Sequence, residues 1–210
     1  KEIIFVNDGS TDQSKNKILK FIKRIKEKKF STKLKLLSYS KNMGKGHAVK
    51  KGIFSSKSEW ILTCDLDMSV LPEQYLIWCR RKLIKDTNCA YIASRKHKKS
   101  KIKSKFIRRI LGYIFRLILV ILFNIRISDT QCGFKVYHKN YIKYIYKRMK
   151  IARYAHDVEA MLILQSKGIK IKELPVKWKH QSGGKINIIT DSFKMLLDLF
   201  ILRLKLSLVK

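Results

Sequence analysis

The chain opens on a short β-branched and aromatic run, Ile3 to Val6, that stops at Asn7-Asp8-Gly9-Ser10. An apolar run closed by turn formers reads as a buried strand ending in a turn. Ile18, Phe21, Ile22 and Ile25 then recur at helical spacing while lysines fill the opposite face, the pattern of an amphipathic helix. Leu34 to Leu37 reads as a second strand, and the glycine-bearing loop Asn42 to Gly46 leads into a short helix through Val49. Trp60 to Cys64 is a third strand that ends at Asp65. Pro72 suits the first turn of a helix over 72–85, and 89–94 is a fourth strand. Strands alternating with helices predict an α/β domain with a largely parallel sheet.

The pattern changes after residue 95. A basic linker, Lys96 to Lys105, leads into Phe106 to Phe123, where aromatic and aliphatic residues dominate but Arg108, Arg109 and Arg116 interrupt. Its uninterrupted apolar part, Leu117 to Phe123, is far shorter than the roughly 20 residues of a spanning helix, so it reads as a helix lying in a membrane interface. Ile188 to Val209 repeats the theme, with Phe193, Leu196, Leu197, Phe200, Ile201 and Leu204 at helical spacing among Lys and Arg. The competing reading of both helices is core packing, or pairing with each other.

Composition narrows the class. With 210 residues, 46% hydrophobic and 30% charged, the chain buries one substantial core, which excludes a disordered protein. Forty-eight Lys and Arg against 15 acidic residues leave a formal charge of +33, which calls for a polyanionic partner: nucleic acid, anionic lipid headgroups or phosphorylated substrates. Charge does not choose among these, and biased composition accounts for many lysines equally well. Cys64, Cys79, Cys89 and Cys132 show no CxxC or Cys/His spacing, so neither zinc nor a disulfide framework is expected, and a reducing, cytosol-facing compartment fits. No signal peptide is visible, and the abrupt start in a strand reads as a fragment.

Two polar clusters follow predicted strands, where ligands of open α/β sheets bind, and a third follows the amphipathic helix. In Asn7 to Asp12, Asp8 is placed to accept a hydrogen bond from a base imide or amide, while Asp12 suits capping of the next helix. In Asp65-Leu66-Asp67, two carboxylates offer hard oxygen ligands for Mg²⁺ or Mn²⁺, and on an extended segment residues i and i+2 share a face. In Asp129 to Lys135, a carboxylate and a cation flank a glycine. A solvated turn is the bland alternative for the first two.

Taken in order, V-N-D-G-S-T-D (6–12), N-M-G-K-G-H-A-V (42–49), D-L-D-M-S (65–69), S-R (94–95), D-T-Q-C-G-F-K (129–135), H-D-V-E (156–159) and E-L-P-V-K-W (173–178) resemble the dolichyl-phosphate glucosyltransferases, within the inverting GT-A class. That resemblance implies a Rossmann-like GT-A fold in one domain, 1–210, with a nucleotide-binding half (1–95) and an acceptor and membrane-interface half (96–210). It implies transfer of a hexose, most of all glucose, from a UDP-sugar to dolichyl or another polyprenyl phosphate for glycan assembly. The setting would be a cytosolic membrane face, of the endoplasmic reticulum in a eukaryote or the inner membrane in a bacterium.

By the same resemblance Asp8 contacts the uracil, Lys45 borders the nucleotide, Asp65 lies on the ribose side, and Asp67, with Asp65, holds the metal. Arg95 lies near the donor and acceptor phosphates, and Asp129 and Lys135 form the acceptor-side motif. Asp157 and Glu159 fall near the sugar, although Glu159 suits bracing of a loop equally. Arg108 and Arg109, with Lys185 in a loop at the membrane face, belong to the acceptor and membrane side. The family's opening strand, with its Pro-x-Tyr-Asn-Glu-like segment, has no counterpart here, so the sheet is expected to be incomplete.

The chemistry is consistent with these residue types. A divalent metal offsets the charge of a departing nucleotide diphosphate, and Arg95 or Lys135 offers charge-assisted hydrogen bonds to phosphate. A phosphate monoester, with a second pKa of about 6, is already mostly a dianion. Asp129 is therefore expected to orient and not to abstract a proton. Lys101, Lys103, Lys105, Arg108 and Arg109 would each add about 1 kcal/mol at an anionic surface. His47, His97, His138, His156 and His180 are scattered and read as surface or packing residues. A nucleic-acid-binding module is not expected, since no motif interleaves the lysines with aromatics. A transferase acting on a hydroxyl acceptor shares the donor motifs but requires a catalytic base.

Overall fold

The structure, a computed structural model, describes residues 1–28, 31–103, 106–181 and 188–207. Strand β1 (Glu2–Asp8) pairs in parallel with β2 (Lys33–Tyr39), from Glu2 opposite Lys33 to Asp8 opposite Tyr39, and helix α1 (Ser14–Glu27) makes the crossover. Ile22 is buried, and Phe21 meets Phe5 edge-on at 6.0 Å, so the predicted apolar stripe of α1 is the face laid on the sheet. Asp12 accepts the Ser14 N–H at 3.0 Å just ahead of that helix.

After α2 (Lys45–Ser55) come β3 (Trp60–Thr63), α3 (Glu73–Arg80), β4 (Cys89–Ala93), β5 (Lys101–Lys103) and α4 (Phe106–Phe123). The chain continues through β6 (Lys135–His138), α5 (Lys139–Arg148), α6 (His156–Ser166), β7 (Lys170–Leu174), β8 (Lys177–Lys179) and α7 (Ile188–Ser207). β3, β6, β4 and β7 form one sheet in that order; β4 and β7 run parallel, and β6 is antiparallel to both its neighbours. With β1/β2 and β5/β8 also parallel, the sheet pairings are mostly parallel, as expected. Strand β6, from the second half of the chain, thus sits between two strands of the first.

Alternation along these strands divides the interior into two layers. Ile61, Ala90, Ile92 and Tyr137 face α5 and α6 with Ile142, Ile145, Val158 and Met161. Tyr91, Val136 and Leu174 face α3 with Trp78 and Phe134. Trp78 donates its indole N–H to the Pro175 carbonyl at 2.9 Å, which satisfies the polar end of a fully buried ring.

Three expectations change in detail. The third strand ends at Thr63, before Cys64. The helix expected over 72–85 stops at Arg80 because Lys82 adopts a left-handed φ of 50°, a common way to end a helix. The Tyr91 hydroxyl then accepts the Lys85 and Asp86 N–H groups and pins the following loop. Strand β6 reads poorly in the sequence because its first residue, Lys135, is fully buried and breaks the apolar pattern.

Candidate active site

The site grows from the end of β1. The Asp8 carboxylate accepts the N–H groups of Met43 at 2.8 Å and Gly44 at 2.9 Å, and the Asp8 carbonyl accepts from the Asn42 side chain at 3.0 Å. Gly44 has a φ of 99°, and a Cβ there would meet the Ala152 carbonyl oxygen at 2.5 Å, so this loop demands glycine. The next residue, Lys45, starts α2 and reaches Asp65 after β3, Nζ to Oδ1 2.8 Å. Burial would depress the Lys45 pKa, but the charges of Asp65 and then Asp157 outweigh it and raise it. Asp65 lies in turn against Gly133, where a Cβ would stand 2.5 Å from the carboxyl carbon. One loop therefore ties Asp8 to Asp65, and Asp65 touches the segment that carries Asp129.

Asp65 and Asp67 are not placed by strand alternation. Beyond Thr63 the chain turns, with the Met68 N–H reaching the Asp65 carbonyl at 3.4 Å and Met68 at a φ of 57°. The two carboxylates acquire different partners: Asp65 faces Lys45, and Asp67 accepts the Ser69 N–H at 2.8 Å and hydroxyl at 2.9 Å. Asp67 stays exposed, and the Asp65 side chain is 40% accessible, so both keep oxygens open to a cation. Among the described residues no three His, Cys, Asp or Glu side chains gather as a ready-made metal cage. Burial, and then Asp65 and Asp67, push the Cys64 thiol up to about 12, so it is not a thiolate nucleophile.

Asp129 and Arg95 form one unit. The guanidinium grips the carboxylate through Nε at 2.7 Å and Nη2 at 2.8 Å, and the Arg95 backbone N–H adds 2.9 Å. Burial would raise the Asp129 pKa, but Arg95 more than reverses it and holds the carboxyl below its ordinary value. Arg95 lies 5.6 Å from the centroid of Trp178, a cation–π contact. Nη1 makes no hydrogen bond among the described residues, so one edge of the guanidinium stays available. From behind, Glu173 accepts the N–H groups of Ser128 at 3.0 Å and Asp129 at 3.1 Å. Two residues on, the Gln131 side-chain nitrogen is buried with no partner among the described residues, a donor waiting for an oxygen.

Lys135 lies deeper than a phosphate-binding lysine at a surface. It is 1% exposed, and its ammonium sits 2.5 Å from Asp157, which also has His156 Nε2 at 3.5 Å. Burial alone would raise the Asp157 pKa, but His156, Lys135 and Lys45 together lower it; burial lowers the His156 pKa. His156 Nδ1 lies 2.8 Å from the Arg153 carbonyl. Glu159 accepts the Lys150 and Ile151 N–H groups, which is loop bracing.

Sequence reasoning overlooked two of these residues. Glu173 was visible only as a letter in a motif, because its job is to hold backbone 45 residues away in the chain. His156 looked scattered because its partner is the residue beside it, buried by helix packing.

The helices α4 and α7 each bury residues in the core, as the packing reading expects, and leave other apolar residues exposed. Leu119 and Leu199 are buried in the main core. On the other faces Tyr113, Ile114, Leu117 and Ile121 of α4, and Phe193, Leu197, Phe200 and Leu204 of α7, are exposed. Among the described residues no helix is long and apolar enough to cross a membrane. The Arg108 and Arg109 side chains and Lys185 lie outside the described residues. The groove lined by Arg81, Lys82, Asp86 and Lys170 opens at the other end of β4 from Arg95 and has no part in this site.

Comparison with known proteins places the chain in a family. A dolichyl-phosphate beta-glucosyltransferase of Saccharomyces cerevisiae is 34% identical over 216 residues, covering 97% of this chain and 64% of its own length. One from Trichomonas vaginalis is 32% identical, covering 94% of this chain and 60% of its own. The chain thus spans about three-fifths of the length of the curated relatives it matches. Among solved structures, the glucosyl-3-phosphoglycerate synthase of Mycobacterium tuberculosis superposes with a TM-score of 0.64 at 13% identity, over 96% of this chain and 68% of that one. The GT-A fold expected from the motifs is therefore the fold observed. Because the family profile of glycosyl transferase family 2 matches residues 1–146, from the Asp8 strand through β6 and into α5, the chain belongs to that family.

Proposed function

We propose that this chain is the catalytic core of a glucosyltransferase. It would move glucose, with inversion, from UDP-glucose to dolichyl or another polyprenyl phosphate at the cytosolic face of a membrane, the endoplasmic reticulum in a eukaryote. One observation carries the reading: Asp8 holds the loop that carries Lys45, Lys45 reaches Asp65, Asp65 lies against Gly133, and the same segment carries Asp129, which grips Arg95. The relatives named dolichyl-phosphate beta-glucosyltransferase match this chain over at least 94% of its length, which supports the donor sugar and the acceptor.

The state of the acidic groups favours a phosphate acceptor. Asp129 and Asp157 are both buried, ion-paired and held below their ordinary pKa, so each is a poor proton acceptor. A hydroxyl nucleophile would need such a base; a phosphate dianion does not. In this reading Asp129 fixes the Arg95 guanidinium, whose free edge, with the orphaned Gln131 amide, binds phosphate oxygens. Lys135 holds Asp157, whose charge also favours the protonated Lys45. The nucleotide base meets Asp8, and residues 1–95 carry the donor while 96–210 carry the acceptor within one domain.

Asp65 and Asp67 fit a divalent cation, Mg²⁺ or Mn²⁺, since both present accessible hard oxygens. A solved complex of the Mycobacterium tuberculosis synthase contains Mn²⁺ with UDP-glucose, which supports that choice. When bound, the ion would neutralise charge on the departing diphosphate. The exposed faces of α4 and α7, with Arg108, Arg109 and Lys185, would seat on the anionic membrane that holds the lipid acceptor.

The test supplies the protein with radiolabelled UDP-glucose or GDP-mannose and a short-chain polyprenyl phosphate, with and without Mn²⁺ or Mg²⁺. Metal-dependent label in the organic phase from UDP-glucose is the expected result. Transfer only to a saccharide hydroxyl, with the lipid phosphate inert, would reject the proposal.

A further inference from the structure

Strands β5 and β8 form a parallel ribbon of their own, and its register sets lysine opposite lysine: Lys101 against Lys177 and Lys103 against Lys179, with Ile102 opposite Trp178 between them. Alternation sends Ile102 and Trp178 inward, where both pack on the core layer of Trp78 and Phe134. Lys101, Lys177 and Lys179 are left exposed on the outer side. The tight turn that enters the ribbon, closed by the Ser100 hydroxyl on the Ser94 carbonyl at 2.7 Å, adds exposed Lys96, Lys98 and Lys99. Among the described residues no carboxylate lies within ion-pair distance of these six ammonium groups. Like charges directly across a strand pair oppose each other, so the ribbon holds a concentration of unneutralised cations that an external anion would relieve.

Its surroundings indicate which anion. β5 lies two residues before α4, and β8 precedes α7, the two helices with exposed apolar faces. Cations on strands that lead in the chain to helices with exposed apolar faces match the boundary of an anionic bilayer. A single-stranded nucleic acid would call for aromatic rings interleaved among the lysines on the same face, and the ribbon's aromatic, Trp178, faces inward. The ribbon is also fixed in place: the Lys179 N–H donates to the Ser69 carbonyl at 3.0 Å, and the Lys177 N–H donates to Gln74 at 3.2 Å.

We infer that the outer face of the β5–β8 ribbon binds the headgroups of anionic phospholipids and makes membrane docking depend on lipid charge. This rests on the reading of α4 and α7 as membrane-docked. It adds a charge-selecting surface supplied by two strands remote from each other in the chain.

Flotation with vesicles of phosphatidylcholine alone, or of phosphatidylcholine mixed with phosphatidylserine, tests it. The variant carrying Lys101→Gln, Lys177→Gln and Lys179→Gln should lose about 100-fold in affinity for the mixed vesicles, roughly fivefold per lysine, with no change on phosphatidylcholine. A control with Lys17→Gln, Lys20→Gln and Lys23→Gln on exposed positions of α1 removes the same charge and should keep most of the affinity. Equal loss in the control would reduce the effect to net charge and overturn the inference. The pair Phe193→Ser and Phe200→Ser should weaken binding to both vesicles. Loss with that pair but not with the ribbon triple sinks the ribbon alone, and no loss with the pair sinks the membrane reading and the inference together. Should the ribbon triple lose binding to single-stranded RNA while still floating normally, the partner is nucleic acid and the inference is wrong.

Discussion

Gly133→Ala should damage the donor site while leaving the fold intact. The position is not in the left-handed region, so alanine meets no backbone strain. Its methyl, however, would stand 2.5 Å from the Asp65 carboxyl carbon. Ordinary contact between such atoms begins near 3.4 Å, so the carboxylate must withdraw by about 1 Å, or the loop must shift. The Lys45–Asp65 contact, 2.8 Å now, would stretch beyond hydrogen-bonding range. A displacement of about 1 Å in a positioned group costs on the order of 100-fold in rate. The thermal midpoint should hardly move, because the Asp65 side chain is 40% exposed and free to relax. Calorimetric titration with UDP and Mn²⁺, alongside the transfer assay, reads both effects. Binding and transfer within threefold of the parent would show that Asp65 need not lie against Gly133.

The buried Lys135–Asp157 pair should be costly to break. Lys135→Met strands the Asp157 charge and is expected to cost about 3–5 kcal/mol in urea denaturation; a loss under about 1 kcal/mol would mean that water reaches Asp157. Acid should weaken the protein in two stages. Burial holds the folded His156 pKa below its ordinary 6.5, so the unfolded chain binds the extra proton first and stability falls as pH drops below about 6.5. Asp129 and Asp157 have lowered pKa values, so their contribution is present above about 3.8 and is lost as pH falls further. Midpoints measured against pH should show the upper step and lose it in His156→Gln; persistence of that step would assign it elsewhere. Arg95→Lys keeps the charge but cannot reproduce the two-point grip on Asp129, so kcat should fall about 100-fold with little change in KM for UDP-glucose. Full turnover in that variant would dismiss the fork geometry.

Local chemistry carried much of this in the sequence. Apolar runs marked β1 to β4, helical spacing marked α1 and α7, a dense apolar stretch marked α4, and Asp8, Lys45, Asp65 and Asp129 stood out because each follows a strand, sits in a glycine loop or flanks a glycine with a cation. Those signals are legible because turn formation and amphipathic periodicity depend on neighbours within a few residues. Tertiary structure alone decided the partners. It inserted β6 between β3 and β4, took Lys135 into the interior against Asp157, locked Arg95 onto Asp129, and set Glu173 behind them. It also chose which face of α4 and α7 to bury and paired the lysines of β5 and β8. Each such choice settles a desolvation cost by joining residues far apart in the chain, and spacing along one strand or helix carries no record of what packs against it.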